Sequence, residues 1–546
     1  METGSTITKK KSSVIVQGTI LAFASIIVRM IGLLYRIPLT RIIGDEAVGL
    51  YSMAFELYNI ALLLSSYSLP LAVSKLVSAR EHRGEYRNSG KVFRVALAFG
   101  FVVGGLATLL VYFGADAYAA FNSEPNLAIP IRVLAPTIFV FSLMGVIRGY
   151  FQGHSNMVPT AVSQIIEQVV NAAVSIGAAV YMVKRYAGSD KLSGYAAAGG
   201  TYGTFFGALA AAVTLFIIYL VNRPLIRSFY RLDDGSAKES TGHVLHAVIL
   251  TVIPVVLSQT VYQISGILDQ NIWNLCMSLK GTYYDDIKST WYGIYSGKYK
   301  VLYNVPIAVA SALGTAIVPN IVGDYNNGNL DKVRRDVSSS IKFNMIIAFP
   351  CAFGLAFLGG PIMQLVFGDY SELSAEVMNF GGIAVVFFAL STMTNGVLQG
   401  INRMRIPVIH SAIALVLHLI LLVVLLRFTD LNLMALVIAN IFFALVVCIL
   451  NWRSVSRLLG YKQEINATFL IPAVSAVNMG IVSALFQKDL AKWIDGRIAT
   501  VLSVILAVMI YFVLLIRLKG ITRDELFDMP KGRTLYRIFV KLKLMK

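Results

Sequence analysis

The run "VIVQGTILAFASIIVRMIGLL", residues 14–34, is apolar along almost its whole length and is long enough to cross a lipid bilayer. It is longer than the hydrophobic region of a signal peptide, and no A-x-A-like cleavage site follows it. We therefore interpret it as a first membrane span. The lysines at 9–11, which flank it, would then lie on the cytoplasmic side.

The composition of the whole chain agrees with this interpretation. Of its 546 residues, 57% are hydrophobic and only 14% are charged, and the mean hydropathy is +0.70. Soluble globular chains carry roughly 25% charged residues. The charges here gather between long apolar runs, which is typical of an all-α polytopic membrane protein.

Fourteen apolar runs are long enough to be predicted spans. They lie at residues 14–35, 50–74, 92–114, 131–150, 159–183, 196–221, 244–275, 294–319, 338–358, 378–398, 407–427, 430–450, 467–487 and 498–518. Alternate loops, together with both termini, hold more than twice as many Lys and Arg as the loops between them. This excess predicts that both termini are cytoplasmic. It also accounts for the net charge of +18 without a nucleic-acid partner.

The sequence repeats itself at a separation of about 244 residues. "GLYS" at 49–52 corresponds to "GIYS" at 293–296, and "QG" at 152–153 corresponds to "QG" at 399–400. We predict two parallel six-helix repeats that form two lobes, followed by two further helices. The predicted domains are an N-terminal lobe (1–221), a cytoplasmic linker (222–243), a C-terminal lobe (244–450), helices 13 and 14 (451–518) and a basic tail (519–546). A transporter built from repeats usually binds its substrate between them and moves by alternating access.

Two features of the chain argue against an enzyme or a metalloprotein. The cysteines, Cys276, Cys351 and Cys448, are far apart and lack the spacing of a zinc, haem or disulfide motif. "GIYSGKY" (293–299) has the wrong spacing for a phosphate-binding loop, and no nucleophile–base set appears. We predict no catalytic residue, no metal and no cofactor. The amphipathic end of the tail, "KGRTLYRIFVKLKLMK" (531–546), is interpreted as an anchor on anionic lipids.

Arg29 and Arg36 are the first candidate binding residues. They are seven residues apart, so they fall on one face of a helix. An Arg inside a span is costly, and its planar fork suits the oxygens of a phosphorylated headgroup. Two alternatives stay open: Arg36 and Arg41 reach the outer interface by snorkelling, or Arg29 pairs with an intramembrane acid.

Other charges inside or beside the spans complete the candidate site. Lys298 and Lys300 begin span 8 and could add to a cationic surface, although lysines that flank loops are common. Glu56, Asp269 and Glu167 are intramembrane acids, and such residues serve as ion-coupling sites or counterions. Glu167, in "SQIIEQVV", is also a candidate hydrogen-bonding node between helices. His410 and His418 are interpreted mainly as packing residues.

Three stretches resemble a known family: "VRMIGLLYRIPLTRIIGDEAVGLYSMAFELY" (28–58), "LPLAVSKLVS" (69–78) and "RGYFQGHSNMVPTAVSQIIEQVVN" (148–171). They are similar to the stage V sporulation protein B and polysaccharide-export branch of the multidrug/oligosaccharidyl-lipid/polysaccharide flippase superfamily, beside the MurJ-type lipid II flippases. The resemblance covers nearly the whole chain. It implies fourteen helices in two lobes, a central cationic cavity and a place in the bacterial cell membrane. It also implies that an undecaprenyl-pyrophosphate-linked sugar is moved outward, with helices 13 and 14 forming a groove for its lipid tail.

The resemblance also assigns individual residues. Arg29 and Arg36 match two cavity arginines of the first helix, with a spacing one residue longer here. Lys300, twelve residues before "ALGTAIVP", falls where the family has a cavity arginine. The second-helix arginine of Gram-negative members has no counterpart in "NIALLL" (59–64).

The identity of the cargo therefore stays open between lipid II, a spore-cortex precursor and another polyprenol-linked glycan. Cell-wall synthesis enzymes are candidate partners. Two further functions stay open as well. A drug or cation antiporter of the same superfamily would normally have twelve helices and depend on carboxylates. A membrane scaffold that transports nothing would not require Arg29 to be positively charged.

Overall fold

The computed structural model describes residues 14–233 and 239–521. All regular secondary structure in these residues is helical, as the hydropathy pattern predicted. The helices are α1 Val14–Leu62, α2 Leu69–Glu81, α3 Tyr86–Phe121, α4 Ala128–Gly153, α5 Val158–Arg185, α6 Leu192–Leu232, α7 Thr241–Lys280, α8 Thr282–Gly293, α9 Lys300–Asn326, α10 Leu330–Phe367, α11 Glu372–Gly381, α12 Ala384–Gly400, α13 Arg405–Phe428, α14 Leu433–Leu459, α15 Ile471–Leu490 and α16 Gly496–Arg517. The lysines at 9–11 and the amphipathic end of the predicted tail lie outside the described residues.

Every predicted span falls largely within helix. Within the described ranges, ten helical stretches are long and apolar enough to cross a membrane, or eleven if α11 and α12 count as one bent span. One of the ten, Ile27–Glu81, includes part of the first predicted span and all of the second. The multi-pass helical architecture is therefore confirmed, whereas the count of fourteen and the orientation of the termini stay predictions.

The long helix α1 is broken at Gly44, where φ is 79° and ψ is 165°. Only glycine adopts this combination readily, because a Cβ atom would clash with the backbone. The break divides α1 into one arm that carries Arg29 and Arg36 and a second arm that carries Tyr51 and Glu56. The chain can therefore change direction between its first two predicted spans without a loop.

Contacts divide the chain into two compact units, Met1–Ile267 (unit 1) and Leu268–Lys546 (unit 2). The division falls within α7, after the stretch predicted to be a linker (222–243). Much of that stretch belongs to α6, which extends to Leu232. Glu239 forms an ion pair with Arg80 of unit 1, because its carboxylate lies 2.6 Å from a guanidinium nitrogen of that residue. The predicted domain boundaries remain predictions.

Unit 1 depends on close helix packing between α5 and α6. A Cβ atom on Gly203 would lie 2.0 Å from the Ser175 hydroxyl and 2.4 Å from the Asn171 carbonyl oxygen. The Ser175 hydroxyl donates to the Gly200 carbonyl across the same interface, at 2.8 Å. Small residues of this kind let membrane helices approach closely and exchange hydrogen bonds.

Unit 2 contains a polar cluster between α12, α13 and α14. The Asn451 amide nitrogen donates to the Asn395 side-chain oxygen at 2.7 Å and to the Thr394 hydroxyl at 3.1 Å. The Asn451 side-chain oxygen lies 2.8 Å from Nδ1 of His410. His410 is thus held among neutral groups, and its position fits the packing role predicted for it.

The sequence repeat is visible at two pairs of helix ends. Gly84 and Gly328 have φ values of 78° and 75°, and Ser155 and Asn402 have φ values of 56° and 62°. At all four positions the residue's amide donates to the carbonyl three residues earlier. The following amide donates to the carbonyl five residues before it. Equivalent sequence positions therefore adopt the same local backbone, while the full two-repeat layout stays a prediction.

We predict that Gly44→Ala destabilises the protein by about 1–3 kcal/mol, because alanine must adopt a backbone conformation almost exclusive to glycine. Thermal unfolding of the purified chain in nanodiscs measures the effect. Gly177→Ala on α5 is the matched control, because its φ is ordinary and its Cβ would meet open space. Equal unfolding midpoints for the two variants would contradict the prediction.

Candidate functional site

Arg36 is held by aromatic rings. Its guanidinium carbon lies 5.8 Å from the centroid of the Tyr51 ring, a distance at which a cation is attracted to a ring face. Tyr51 is on the second arm of α1, so the break at Gly44 makes this contact possible. Among the described residues Arg36 forms no ion pair with a carboxylate. Its fork of N–H donors is therefore suited to an incoming anion.

Arg29 is exposed, and no hydrogen bond or ion pair joins it to the described side chains. Arg41 is exposed as well. Between Arg29 and Arg36, Gly32 faces helix α5, since its Cβ position lies 3.6 Å from the Gln168 side chain. The arginine face of α1 therefore lies alongside α5 at this level.

The two candidate acids of unit 1, Glu167 and Glu56, contact residues other than Arg29 and Arg36. Glu167 on α5 accepts a hydrogen bond from Arg148 on α4 at 2.8 Å, and Arg148 also donates to Ser163 at 3.0 Å. Glu56 packs against α7, where its carboxyl carbon lies 2.7 Å from the position that a Cβ on Gly266 would occupy. Arg148 lies within the predicted span 131–150, and Glu167, 19 residues further along, is its counterion.

Lys298, a predicted cavity cation, is engaged by an acid. Its ammonium lies 2.5 Å from the carboxylate of Asp369, and both side chains are less than 10% exposed. Asp369 follows α10 and also accepts hydrogen bonds from Ser374 and from the Ser371 amide. Burial alone would raise the pKa of Asp369, but these hydrogen bonds and the Lys298 charge lower it to about 2. Lys298 therefore serves at least to stabilise the start of α11.

Lys300 differs from Lys298 because its partner is a ring. Its ammonium lies 4.7 Å from the centroid of the buried Tyr295 ring, within cation–π range. Among the described residues no carboxylate forms an ion pair with Lys300. Lys300 in unit 2 and Arg36 in unit 1 therefore share one arrangement, a half-buried cation over a tyrosine.

Asp269 is paired with His418. One carboxylate oxygen lies 2.6 Å from Nε2 of the imidazole, and the two side chains are 4% and 1% exposed. The other ring nitrogen, Nδ1, lies 2.7 Å from the Ala439 carbonyl oxygen. His418, interpreted from the sequence mainly as a packing residue, is thus the direct partner of an intramembrane acid.

An apolar groove of about 460 Å³ runs between α9, α10, α15 and α16 in unit 2. Its walls include Leu302, Pro306, Leu358, Met479, Val508 and Phe512. The Tyr511 hydroxyl at its edge donates to the Ile346 carbonyl at 2.8 Å, which leaves the surface apolar. A groove of this kind can hold a hydrocarbon chain.

A second cavity, of about 330 Å³, lies in unit 1 where the "RGYFQGHSN" motif ends α4. Nε2 of His154 lies 2.7 Å from the Glu81 carboxylate, and Nδ1 lies 2.7 Å from the Tyr150 carbonyl oxygen. The motif thus forms a helix end and one wall of a polar cavity.

These features define the class of protein: a multi-pass helical membrane protein of the transporter kind, with half-buried cations and an apolar groove. The polysaccharide biosynthesis protein family model matches residues 15–323, more than half of the chain. The chain therefore belongs to that family. A second model, MatE, matches residues 301–424.

The chain is homologous to characterised bacterial proteins along almost its whole length. It is 25% identical to the lipid II flippase MurJ of Bacillus subtilis over 515 residues, which covers 91% of this chain and 93% of that protein. It is 26% identical to the stage V sporulation protein B of the same organism over 526 residues, covering 94% of this chain and 96% of that protein. The expected family resemblance is confirmed.

Two solved structures share the fold. The inward closed conformation of the lipid II flippase MurJ matches with a TM-score of 0.67 at 13% identity, over 91% of this chain and 98% of that structure. The inward-facing conformation of a multidrug resistance MATE family transporter of the MOP superfamily matches with a TM-score of 0.65 at 15% identity. That match covers 82% of this chain and 98% of the transporter.

We predict that Asp369→Asn destabilises the protein by about 3–5 kcal/mol, because it leaves the buried Lys298 ammonium without its counter-charge. Because the folded pKa of Asp369 is below its unfolded value of about 3.9, its stabilisation is present above that pH and is lost as pH falls towards 2. Thermal unfolding in nanodiscs between pH 2 and 7 measures both effects.

The control is the double variant Lys298→Met/Asp369→Leu, which removes both charges and should recover most of the stability. If this variant is stable and still transports, Lys298 has a structural role only. Asp369→Asn unfolding at the same temperature as the parent would contradict the prediction.

Proposed function

We propose that this protein is a flippase that moves an undecaprenyl-pyrophosphate-linked sugar from the inner to the outer leaflet of the bacterial cell membrane by alternating access. The observation that carries the proposal is the apolar groove on α15 and α16, the two helices beyond the predicted pair of six-helix repeats. A transporter of small soluble cations has no use for such a groove. An amphiphile with a long prenyl tail does.

The cations suit the other end of the same substrate. A pyrophosphate carries negative charge that must be offset inside a low-dielectric protein. Arg36 in unit 1 and Lys300 in unit 2 each contact an aromatic ring rather than a carboxylate. A phosphate that approaches either cation would therefore not have to displace an internal counterion. Arg29, on the same predicted helix face as Arg36, would add a further positive charge.

The geometry of α9 relates the two ends of the substrate. Lys300 opens this helix, and Leu302, two residues later, already lines the groove. Residues two apart on a helix point about 200° from one another. Lys300 and the groove therefore lie on opposite faces of α9, within one turn along its axis. In the proposed complex the headgroup and the tail lie on either side of the beginning of α9.

The relatives support a cell-wall cargo. One is named as a lipid II flippase and the other as a sporulation protein. We propose lipid II or a related peptidoglycan precursor as the substrate. Peptidoglycan biosynthesis, cell shape and sporulation are then the processes served, and cell-wall synthesis enzymes are the proposed partners. The proposed role is transport rather than catalysis.

A multidrug or cation antiporter is the second candidate function. The MatE match to residues 301–424 and the fold shared with a MATE transporter favour it. The two functions differ in their need for positive charge. An antiporter for cationic drugs would tolerate the loss of a cation at Arg36, whereas the proposed flippase would not.

We predict that this chain sustains growth of a bacterium depleted of its own lipid II flippase, and that Arg36→Glu abolishes the rescue by repelling the pyrophosphate. Arg36→Lys should rescue partially, because it keeps the charge and loses the bidentate fork. Colony counts at matched expression measure the effect. The control is Arg41→Glu, an equal charge reversal at an exposed position, which should still rescue. Full rescue by Arg36→Glu would contradict the proposed headgroup site.

We predict that filling the groove also abolishes rescue. Gly354 on α10 lines the groove, and the nearest atom to its Cβ position is Met479 Cε at 3.9 Å. Gly354→Phe therefore projects a ring into space that the prenyl tail would need. Gly177→Phe, at an exposed position on α5, is the control with the same side chain. If both variants rescue alike in membranes containing equal amounts of protein, the groove does not hold the tail.

A further inference from the structure

The Asp269–His418 pair lies within the helical core of unit 2. Asp269 is on α7 and His418 is near the middle of α13, and neither side chain is more than 4% exposed. The imidazole is held between two oxygens. Asp269 lies 2.6 Å from Nε2 and the Ala439 carbonyl lies 2.7 Å from Nδ1.

Counting donors shows how many protons this arrangement holds. A carbonyl oxygen only accepts hydrogen bonds, so Nδ1 must carry a proton. The short contact between Nε2 and the carboxylate requires another proton between two groups that would otherwise both be acceptors. A neutral imidazole beside an ionised carboxylate has only one ring proton and cannot satisfy both contacts. The arrangement therefore holds one proton more than a neutral imidazole and an ionised carboxylate would hold together.

We propose that Asp269 and His418 form a proton-binding site that is loaded in this conformation and that couples transport to a pH gradient. This inference rests on the proposed flippase function and adds its coupling ion. The proton is held between Nε2 of His418 and the carboxylate of Asp269. Its release leaves an ionised carboxylate facing a ring nitrogen lone pair. The hydrogen bond between Asp269 and His418 is then lost, and α7 and α13 are free to move apart at this point.

The Asp269–His418 pair has charged, titratable and aromatic neighbours. Lys300 on α9 is within electrostatic range of His418, and Tyr295, in the helical segment Ile294–Tyr299 that precedes α9, is within electrostatic range of Asp269. On the α14 side the ring of Phe443 packs edge-on to the imidazole, with ring centroids 5.9 Å apart. An anionic headgroup at Lys300 would change the electrostatic field at the imidazole, which links the proton to the cargo.

A proton fits this site better than a metal ion. Within the described ranges no three His, Cys, Asp or Glu side chains gather in a way that could hold a metal. The position beside Asp269 is already taken by a ring nitrogen. His154 contacts the same two kinds of oxygen, but its side chain is 19% exposed and it lies at a helix end. Of these two histidines, only His418 lies within a predicted span.

The test measures the leaflet distribution of fluorescent lipid II in proteoliposomes that contain the full chain. A gradient of one pH unit is imposed while potassium and valinomycin hold the membrane potential at zero. An uncoupled flippase gives equal amounts in both leaflets. One coupled proton shifts the steady-state ratio about tenfold, because one pH unit is a tenfold ratio of proton activity. The steady-state ratio depends on the gradient and not on how the protein is oriented in the vesicle.

Asp269→Asn and His418→Gln should each return the ratio to about one. His410→Gln is the matched control on the same helix, because His410 contacts the neutral Asn451 and Ser454; it should keep the parent ratio. A parent that moves lipid II but distributes it equally overturns the proton site alone. A parent that moves no lipid II overturns the proposed function, and this inference with it.

A second measurement examines the proton without any cargo. Nitrogen-15 spectra of histidine-labelled protein are recorded in nanodiscs. The signals of the His418 ring are those that are missing from the spectra of His418→Gln. We expect a proton on both ring nitrogens of His418 in the parent, and loss of the proton at Nε2 in Asp269→Asn. A bare Nε2 in the parent would contradict the proposed site.

Discussion

The cost of placing charge inside a membrane protein is the constraint on which this structure depends. Among the described residues, most buried charged side chains are paired with a residue of opposite charge. Examples are Arg148 with Glu167 and Lys298 with Asp369. Arg36 instead contacts Tyr51, and Lys300 contacts Tyr295. A cation matched only by a ring can still accept an anion without losing an internal ion pair. Each of them, one in either unit, is therefore a proposed contact for an anionic headgroup.

Features governed by local sequence could be predicted. Hydropathy predicted the multi-pass helical architecture, because an apolar run of sufficient length has few alternatives to a helix in lipid. The repeat of about 244 residues reappears at Gly84 and Gly328 as the same turn, with the same hydrogen bonds. At these positions the backbone conformation is set by a few neighbouring residues. The break at Gly44 could not be predicted from the sequence, because α1 continues as a helix directly on both sides of it.

Pairings between distant helices could not be predicted. The sequence identified Asp269 as an intramembrane acid, but its partner His418 is 149 residues away. Asp369 belongs to a loop that carried no motif, yet it neutralises Lys298 from 71 residues away. Each contact depends on which helix faces lie together, and a single sequence does not contain that information. The groove had been expected only from the family resemblance, since its walls come from four separate helices.

The central claim is that one amphiphile, anionic at its head and prenylated at its tail, binds this protein. Native mass spectrometry of the purified chain with equal amounts of lipid II and phosphatidylglycerol tests it directly. The account predicts that the parent retains lipid II in preference to phosphatidylglycerol and that Lys300→Gln loses this preference. Equal retention of the two lipids by the parent would contradict the account.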